Sequence, residues 1–95
     1  MEAELEAAMR KGMKAVFLLG GEFIARAMGA KCASRRAEFL MAAGECYLTV
    51  SRNIPTPHHE VAVLSRGMAN SCLLTAAVLR SAQECAESQS AGDRS

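Results

Sequence analysis

The feature that most constrains the fold is a long helical repeat in the last third of the chain. From residue 57 to about residue 87, apolar and small side chains recur at intervals of three and four: Val61, Leu64, Met68, Cys72, Thr75, Leu79, Ala82 and Ala86. This spacing keeps side chains on one face of an α-helix, whereas a strand requires alternation at every second residue. The pattern predicts a helix of about thirty residues, with this stripe as its buried face.

The same rule predicts two further helices upstream. Over residues 3–28, one stripe is formed by Leu5, Met9, Met13, Val16, Phe17, Gly20, Ile24, Ala27 and Met28. Because the stripe stays in phase across Gly20 and Gly21, we expect one long helix there, with a kink at this glycine pair as the alternative. Over residues 33–52, a second stripe is formed by Ala33, Ala37, Leu40, Met41, Gly44, Tyr47 and Leu48. No segment favours a strand, so we predict an all-α fold.

Short connections between long helices predict an antiparallel, up-down-up bundle of three helices (about 3–28, 33–52 and 57–87), which dimerisation could complete. The boundary before the third helix is marked by Pro55 and Pro57, with Thr56 as its expected N-cap. Gly20 and Gly44 fall inside the predicted buried stripes, where a missing side chain lets a facing helix approach. We expect a single domain over residues 1–87 and a disordered tail over 88–95, which lacks an apolar anchor.

Composition favours a small folded protein of the cytoplasm. The chain has 95 residues, of which 51% are hydrophobic and 22% charged, and its net charge is +1. This balance fits one globular domain rather than a disordered chain. The first residues are acidic, unlike a secretory signal, and we expect no contact with a membrane. Four cysteines without an export signal are then expected to be reduced thiols.

Several chemical functions lack the residues they need. The densest polar cluster is His58, His59 and Glu60, but adjacent helical residues diverge by about 100°, whereas zinc ligands on a helix use spacings of three or four. We therefore predict neither a metal site nor a cofactor. No glycine-rich phosphate loop accompanies a Lys-Ser/Thr pair, so we expect no enzyme and no small-molecule substrate. Seven basic residues within 10–36 are spread around the helices and tryptophan is absent, so nucleic-acid binding is not expected.

More apolar residues are present than three buried stripes would use. Leu74 and Val78 form a flank beside the main stripe of the third helix, and the second helix has a similar flank. Large apolar patches on small soluble proteins mark interfaces. The sequence thus predicts a non-enzymatic helical interaction module of the adaptor, chaperone or inhibitor type, acting as a homodimer or on another protein. Its predicted contact residues are Phe39, Val50, Leu73, Leu74 and Val78.

Two alternatives remain open at this level. A third helix at the centre of the bundle would be buried on all sides, which would explain its apolar flanks without a partner. A metal-active or thiol-active helical protein would instead use His58, His59 and some of the cysteines.

Overall fold

The computed structural model describes the backbone of residues 1–54 and 58–93 and the side chains of 1–54 and 58–82. Within these ranges the chain is all-α, as predicted, and no strand occurs. Four helices follow one another: α1 (Glu2–Lys11), α2 (Met13–Gly29), α3 (Ala33–Asn53) and α4 (His59–Asp93).

The predicted single helix over residues 3–28 is wrong, because Gly12 divides it. Gly12 has φ 120°, in a region that L side chains rarely adopt, and its N–H is bonded to the carbonyls of Ala8 (3.1 Å) and Met9 (3.3 Å). Glycine adopts such a conformation without steric cost, so the chain turns at this point. Gly20 and Gly21 lie inside α2 and do not interrupt it.

The turn at Gly12 folds α1 back along α2. Arg26, near the end of α2, donates two hydrogen bonds to the carboxylate of Glu4, with N–O distances of 3.0 Å each. This parallel pair of bonds has the geometry in which guanidinium and carboxylate groups fit best. It joins the start of α1 to the end of α2, and both side chains remain partly exposed.

The connection from α2 to α3 is short and is secured by Arg36. Its guanidinium donates to the carbonyls of Ala27 (3.3 Å) and Ala30 (3.0 Å), at the C-terminal end of α2. Carbonyls at a helix end have no partner within the helix, and a basic side chain there also suits the helix dipole. The start of α3 is thereby held against the end of α2.

α3 is the central helix, packed against α2 on one side and α4 on the other. Its observed bounds agree with the predicted helix over 33–52. The core includes Val16 and Phe23 of α2, Tyr47 and Val50 of α3, and Ala69 of α4. The alternative in which the last helix is buried on all sides is therefore wrong, because α3 holds the central position.

Two glycines allow the helices to approach closely, as predicted. A Cβ atom at Gly20 would lie 2.8 Å from Cζ of Tyr47, and a Cβ at Gly44 would lie 2.7 Å from Cγ of Leu73. Real Cβ atoms do not approach so closely. A side chain at either position would force the helices apart or displace the facing residue.

α4 extends beyond its predicted end at residue 87 and continues as helix to Asp93. The predicted Thr56 cap and the proline boundary lie outside the described residues. The division into a domain over 1–87 and a tail over 88–95 stays a prediction. The predicted bundle of three long helices is replaced by four helices, of which α1 and α2 come from the first predicted helix.

The buried face of α4 is rotated from the predicted stripe. Among its described side chains, up to residue 82, the buried ones are Ser65, Ala69, Cys72 and Ala76, and of these only Cys72 belongs to the predicted stripe. A Cβ at Gly44 of α3 would lie 3.5 Å from the carbonyl oxygen of Ala69, so the α4 backbone comes close to α3 there. Small side chains permit this approach, whereas large ones would separate the helices. Leu64, which was predicted to be buried, consequently faces solvent.

Candidate interaction surface

The five predicted contact residues do not share one surface. Val50 is 1% exposed and belongs to the core, so it cannot contact a partner in this fold. Leu73 packs against Gly44, and Phe39 is half-buried beneath the guanidinium of Arg35, whose Cζ lies 5.1 Å from the ring centroid. Leu74 and Val78 alone project freely into solvent.

Leu74 and Val78 belong to a larger surface that we call the α4 outer face. It consists of Val63, Leu64, Gly67, Ser71, Leu74 and Val78, all of which are exposed. The exposed fractions of the large side chains are 55% for Val63, 66% for Leu64, 67% for Leu74 and 66% for Val78. Spacings of three and four place these residues on the side of α4 opposite its buried face. The surface is therefore a mainly apolar stripe along the helix, with Ser71 as its polar member.

Charge is missing from this stripe. Between residues 61 and 83 the sequence contains two charged side chains, Arg66 and Arg80. Helical spacing places both on the flank of α4 near Leu73, next to α3, and not on the outer face. Depletion of charge together with exposed large aliphatic groups is characteristic of the central part of a protein interface.

Length and hydropathy alone would let one segment of α4 cross a membrane. The segment is His59–Ala82, in which an 18-residue window has a mean hydropathy of 1.4 and 22% of that window is buried within the fold. The core helix of a soluble protein can meet the same length and hydropathy criteria, but such a helix is mostly buried, whereas most of this window is not. In this fold α4 packs against α3 through Ser65, Ala69, Cys72 and Ala76.

A second apolar feature lies between α1 and α2. An open cleft of about 330 Å³ is bordered by both helices, with Leu18 at 59% exposure on its wall and charged groups from Glu4, Lys11 and Glu22. The cleft lining contains no histidine, cysteine or serine. Its lining therefore offers no Ser–His or Cys–His pair.

Two of the described thiols, Cys46 and Cys72, are buried and placed as packing groups. Burial raises the pKa of the Cys46 thiol to about 11, with smaller contributions from the carboxylates of Glu45 and Glu4. Burial also raises the pKa of Cys72. Both thiols are protonated at neutral pH, and a thiol is a poor nucleophile and metal ligand in that form. Cys32 is exposed, and the side chain of Cys85 lies outside the described residues.

The histidines named in the metal alternative lie at the start of α4. His58 and His59 are both exposed there. Among the side chains that the structure describes, no three His, Cys, Asp or Glu residues are arranged to hold a metal ion.

Two features of the surface and core escaped the sequence analysis. Gly67 lies on the outer face, and a Cβ added there would meet nothing within 4 Å. Ser65 is fully buried, and its hydroxyl has no hydrogen-bond partner within the described part of the chain. The sequence did contain a signal for the outer face, because residues 63, 67, 71, 74 and 78 are all uncharged. The prediction missed this face because it assigned Leu64 to the buried stripe.

Comparison of the chain with models of protein families, with curated proteins and with solved structures gives no match.

Proposed function

We propose that this protein is a small non-enzymatic interaction module, of the adaptor, chaperone or inhibitor type, that binds through the α4 outer face as a homodimer or with a partner protein. The observation that carries the proposal is the uncharged stripe in which Leu64, Leu74 and Val78 are each about two-thirds exposed. Moving one such side chain from full exposure to full burial is favourable by up to about 1.5–3 kcal/mol, before the entropic cost of association. Several of them on one rigid helix supply a substantial driving force for association.

The position of α4 supports this proposal. Its inner face packs on α3, while the described residues of its outer face are exposed. A helix that is apolar on two opposite sides normally has a neighbour on each of them. We propose that another chain supplies the second neighbour. A cytoplasmic location is part of the proposal, since it fits the free thiols of Cys46 and Cys72.

The test is the mass of the protein in solution when the outer face is charged. Leu74→Asp combined with Val78→Asp would place two carboxylates in the proposed interface, where desolvation opposes association. We expect analytical ultracentrifugation to show an assembly for the wild type and a 10.1 kDa monomer for the double variant. Circular dichroism should show the same helical content for both, because both residues are exposed in the monomer.

Leu18→Asp is the matched control. Leu18 is an exposed leucine of similar accessibility, but it lies on α2 in the cleft beside α1. The control should assemble like the wild type. Equal masses for the wild type and the Leu74/Val78 double variant would contradict self-assembly through this face.

A further inference from the structure

We propose that the α4 outer face binds the same face of a second copy of this chain, with the two α4 helices antiparallel about a two-fold axis that passes between Asn70 and Ser71. This inference rests on the proposed function and specifies its partner, orientation and register. It follows from the order of large and small residues along the face.

Two pairs of residues on the outer face are placed symmetrically about that midpoint, while Leu64 corresponds to Ala77, beside the face. Counted in residues, Gly67 lies as far before the midpoint as Leu74 lies after it. Val63 and Val78 are likewise equally far from the midpoint on either side. In an antiparallel pair, Leu74 of each copy would therefore face Gly67 of the other, and Val63 of each would face Val78 of the other. Such an arrangement is self-complementary, as a two-fold interface requires.

The missing side chain at Gly67 leaves a notch in the outer face that a side chain of the second copy can enter in this register. A Cβ at residue 67 would have no neighbour within 4 Å, so space above the backbone is open to an incoming side chain. The chain already packs a leucine over a glycine within its own fold, where Leu73 of α4 fills the position that a Cβ of Gly44 would occupy. Leu74 over Gly67 would repeat that arrangement between two copies.

A parallel pair would fit less well. It would set Gly67 against Gly67 and Leu74 against Leu74, which leaves a void at one level and crowding at another. The antiparallel arrangement also opposes the two helix dipoles, whereas a parallel one aligns them.

The polar residues at the midpoint favour a protein partner over a lipid surface. Asn70 and Ser71 are both exposed. Across the proposed axis, Asn70 of one copy lies at the level of Ser71 of the other, so an amide and a hydroxyl are available to hydrogen-bond. In a hydrocarbon environment these groups would have no such partner, which is costly.

A size swap between Gly67 and Leu74 tests the register. Gly67→Leu makes the face more apolar but fills the notch, so we expect the dimer dissociation constant to rise at least tenfold. Combining Gly67→Leu with Leu74→Gly exchanges knob and notch and should restore most of the affinity. The swap exchanges one leucine and one glycine within the same helix, so the intrinsic helix propensity is nearly unchanged. Sedimentation equilibrium measures all three proteins.

A distance measurement tests the orientation. Ser81→Cys, in a chain with Cys32→Ser and Cys85→Ser, provides one accessible thiol per chain for a nitroxide label. The antiparallel register puts the two labelled positions about 32 Å apart along the axis, at 1.5 Å per residue. A parallel pair would put them about 10 Å apart, which is the spacing between packed helices. Electron–electron double resonance distinguishes the two distances.

The outcomes separate this inference from the proposed function. A Gly67→Leu variant that dimerises as well as or better than the wild type, or a label separation near 10 Å, overturns the antiparallel register. The proposed function stands in that case, provided that the Leu74→Asp/Val78→Asp variant is monomeric. If the Leu74→Asp/Val78→Asp variant also dimerises, both the antiparallel register and the proposed function are contradicted. A monomeric wild type that co-sediments with phosphatidylcholine–phosphatidylglycerol vesicles, more strongly with Gly67→Leu, identifies a lipid surface as the occupant and overturns the inference.

Discussion

Gly20 of α2 lies against the aromatic ring of Tyr47 in α3, so closely that a Cβ at residue 20 would be 2.8 Å from Cζ and 3.0 Å from Cε1. Tyr47 is 2% exposed, and its ring also meets Phe17 edge-on with centroids 5.4 Å apart. The ring therefore has little room to move. The contact sets how closely α2 and α3 approach each other.

Gly20→Ala and Gly21→Ala should change stability in opposite directions. Both replace a helical glycine by alanine, which favours the helix by about 1 kcal/mol. At residue 20 the new methyl group overlaps the Tyr47 ring, whereas at residue 21 its nearest neighbour is the Tyr47 hydroxyl at 3.9 Å. We expect Gly20→Ala to be less stable than Gly21→Ala by about 1–3 kcal/mol. Urea unfolding of both variants gives the difference, and equal midpoints would show that the contact is not tight.

Ser65→Ala should stabilise the protein. The Ser65 hydroxyl is buried between α4 and α3 without a hydrogen-bond partner in the described residues, and leaving such a group unsatisfied costs about 1–3 kcal/mol. Ser81→Ala is the control, because Ser81 is exposed on the same helix and shares the small gain in helix propensity. Thermal unfolding should place Ser65→Ala above the control. A lower melting temperature for Ser65→Ala would indicate that the hydroxyl is satisfied in solution.

Thiol reactivity should separate Cys32 from Cys46 and Cys72. Cys32 is exposed, whereas the other two are buried and their pKa values are raised. In a Cys85→Ser background at neutral pH, we expect one thiol to react rapidly with an aromatic disulfide reagent and two to react after denaturation. Rapid release of three equivalents from the native protein would contradict this placement.

Stability should fall as the pH rises through the alkaline range. The pKa of Cys46 is about 11 in the folded protein, against an ordinary value of 9.0. A thiol whose pKa is raised by folding contributes fully below the ordinary value, and this contribution is lost as the pH approaches the folded value. The free energy of unfolding should therefore decline between about pH 9 and 11. Cys46→Ala should reduce this decline and Cys32→Ala should not, and the same pH dependence in both would exclude Cys46 as the cause.

Glu4→Gln should loosen α1 from α2. The double hydrogen bond from Arg26 lowers the pKa of Glu4 below its ordinary value of 4.5, so this attachment is present above that pH and is lost as the pH falls through the lowered value. Hydrogen exchange in α1 should accelerate in Glu4→Gln at neutral pH and in the wild type at acid pH. Glu6→Gln is the control on the same helix, and equal acceleration in both variants would contradict a specific role for Glu4.

The sequence predicted the helices best where periodicity was uninterrupted and boundary signals were local. The bounds of α3 agree within one residue with prediction, and the close packing at Gly20 and Gly44 was correctly expected from their place within apolar stripes. The break at Gly12 was missed because the stripe remains in phase across it. The spacing of apolar residues indicates which side of a helix is buried. It does not reveal a turn in the backbone after which the apolar residues continue with the same spacing.

The sequence by itself determined that the chain is helical, that it contains more apolar residues than its helices need for one another, and that Leu74 and Val78 are among the surplus. Tertiary structure decided which side of α4 is buried. Large side chains favour burial by their area, but the backbones of α3 and α4 come close near Gly44 and Ala69, where α4 buries the small residues Ser65, Ala69 and Ala76 and places Leu73 over Gly44. Shape complementarity between these two helices thus outweighed the hydrophobicity of α4 alone, and Leu64 was left facing solvent.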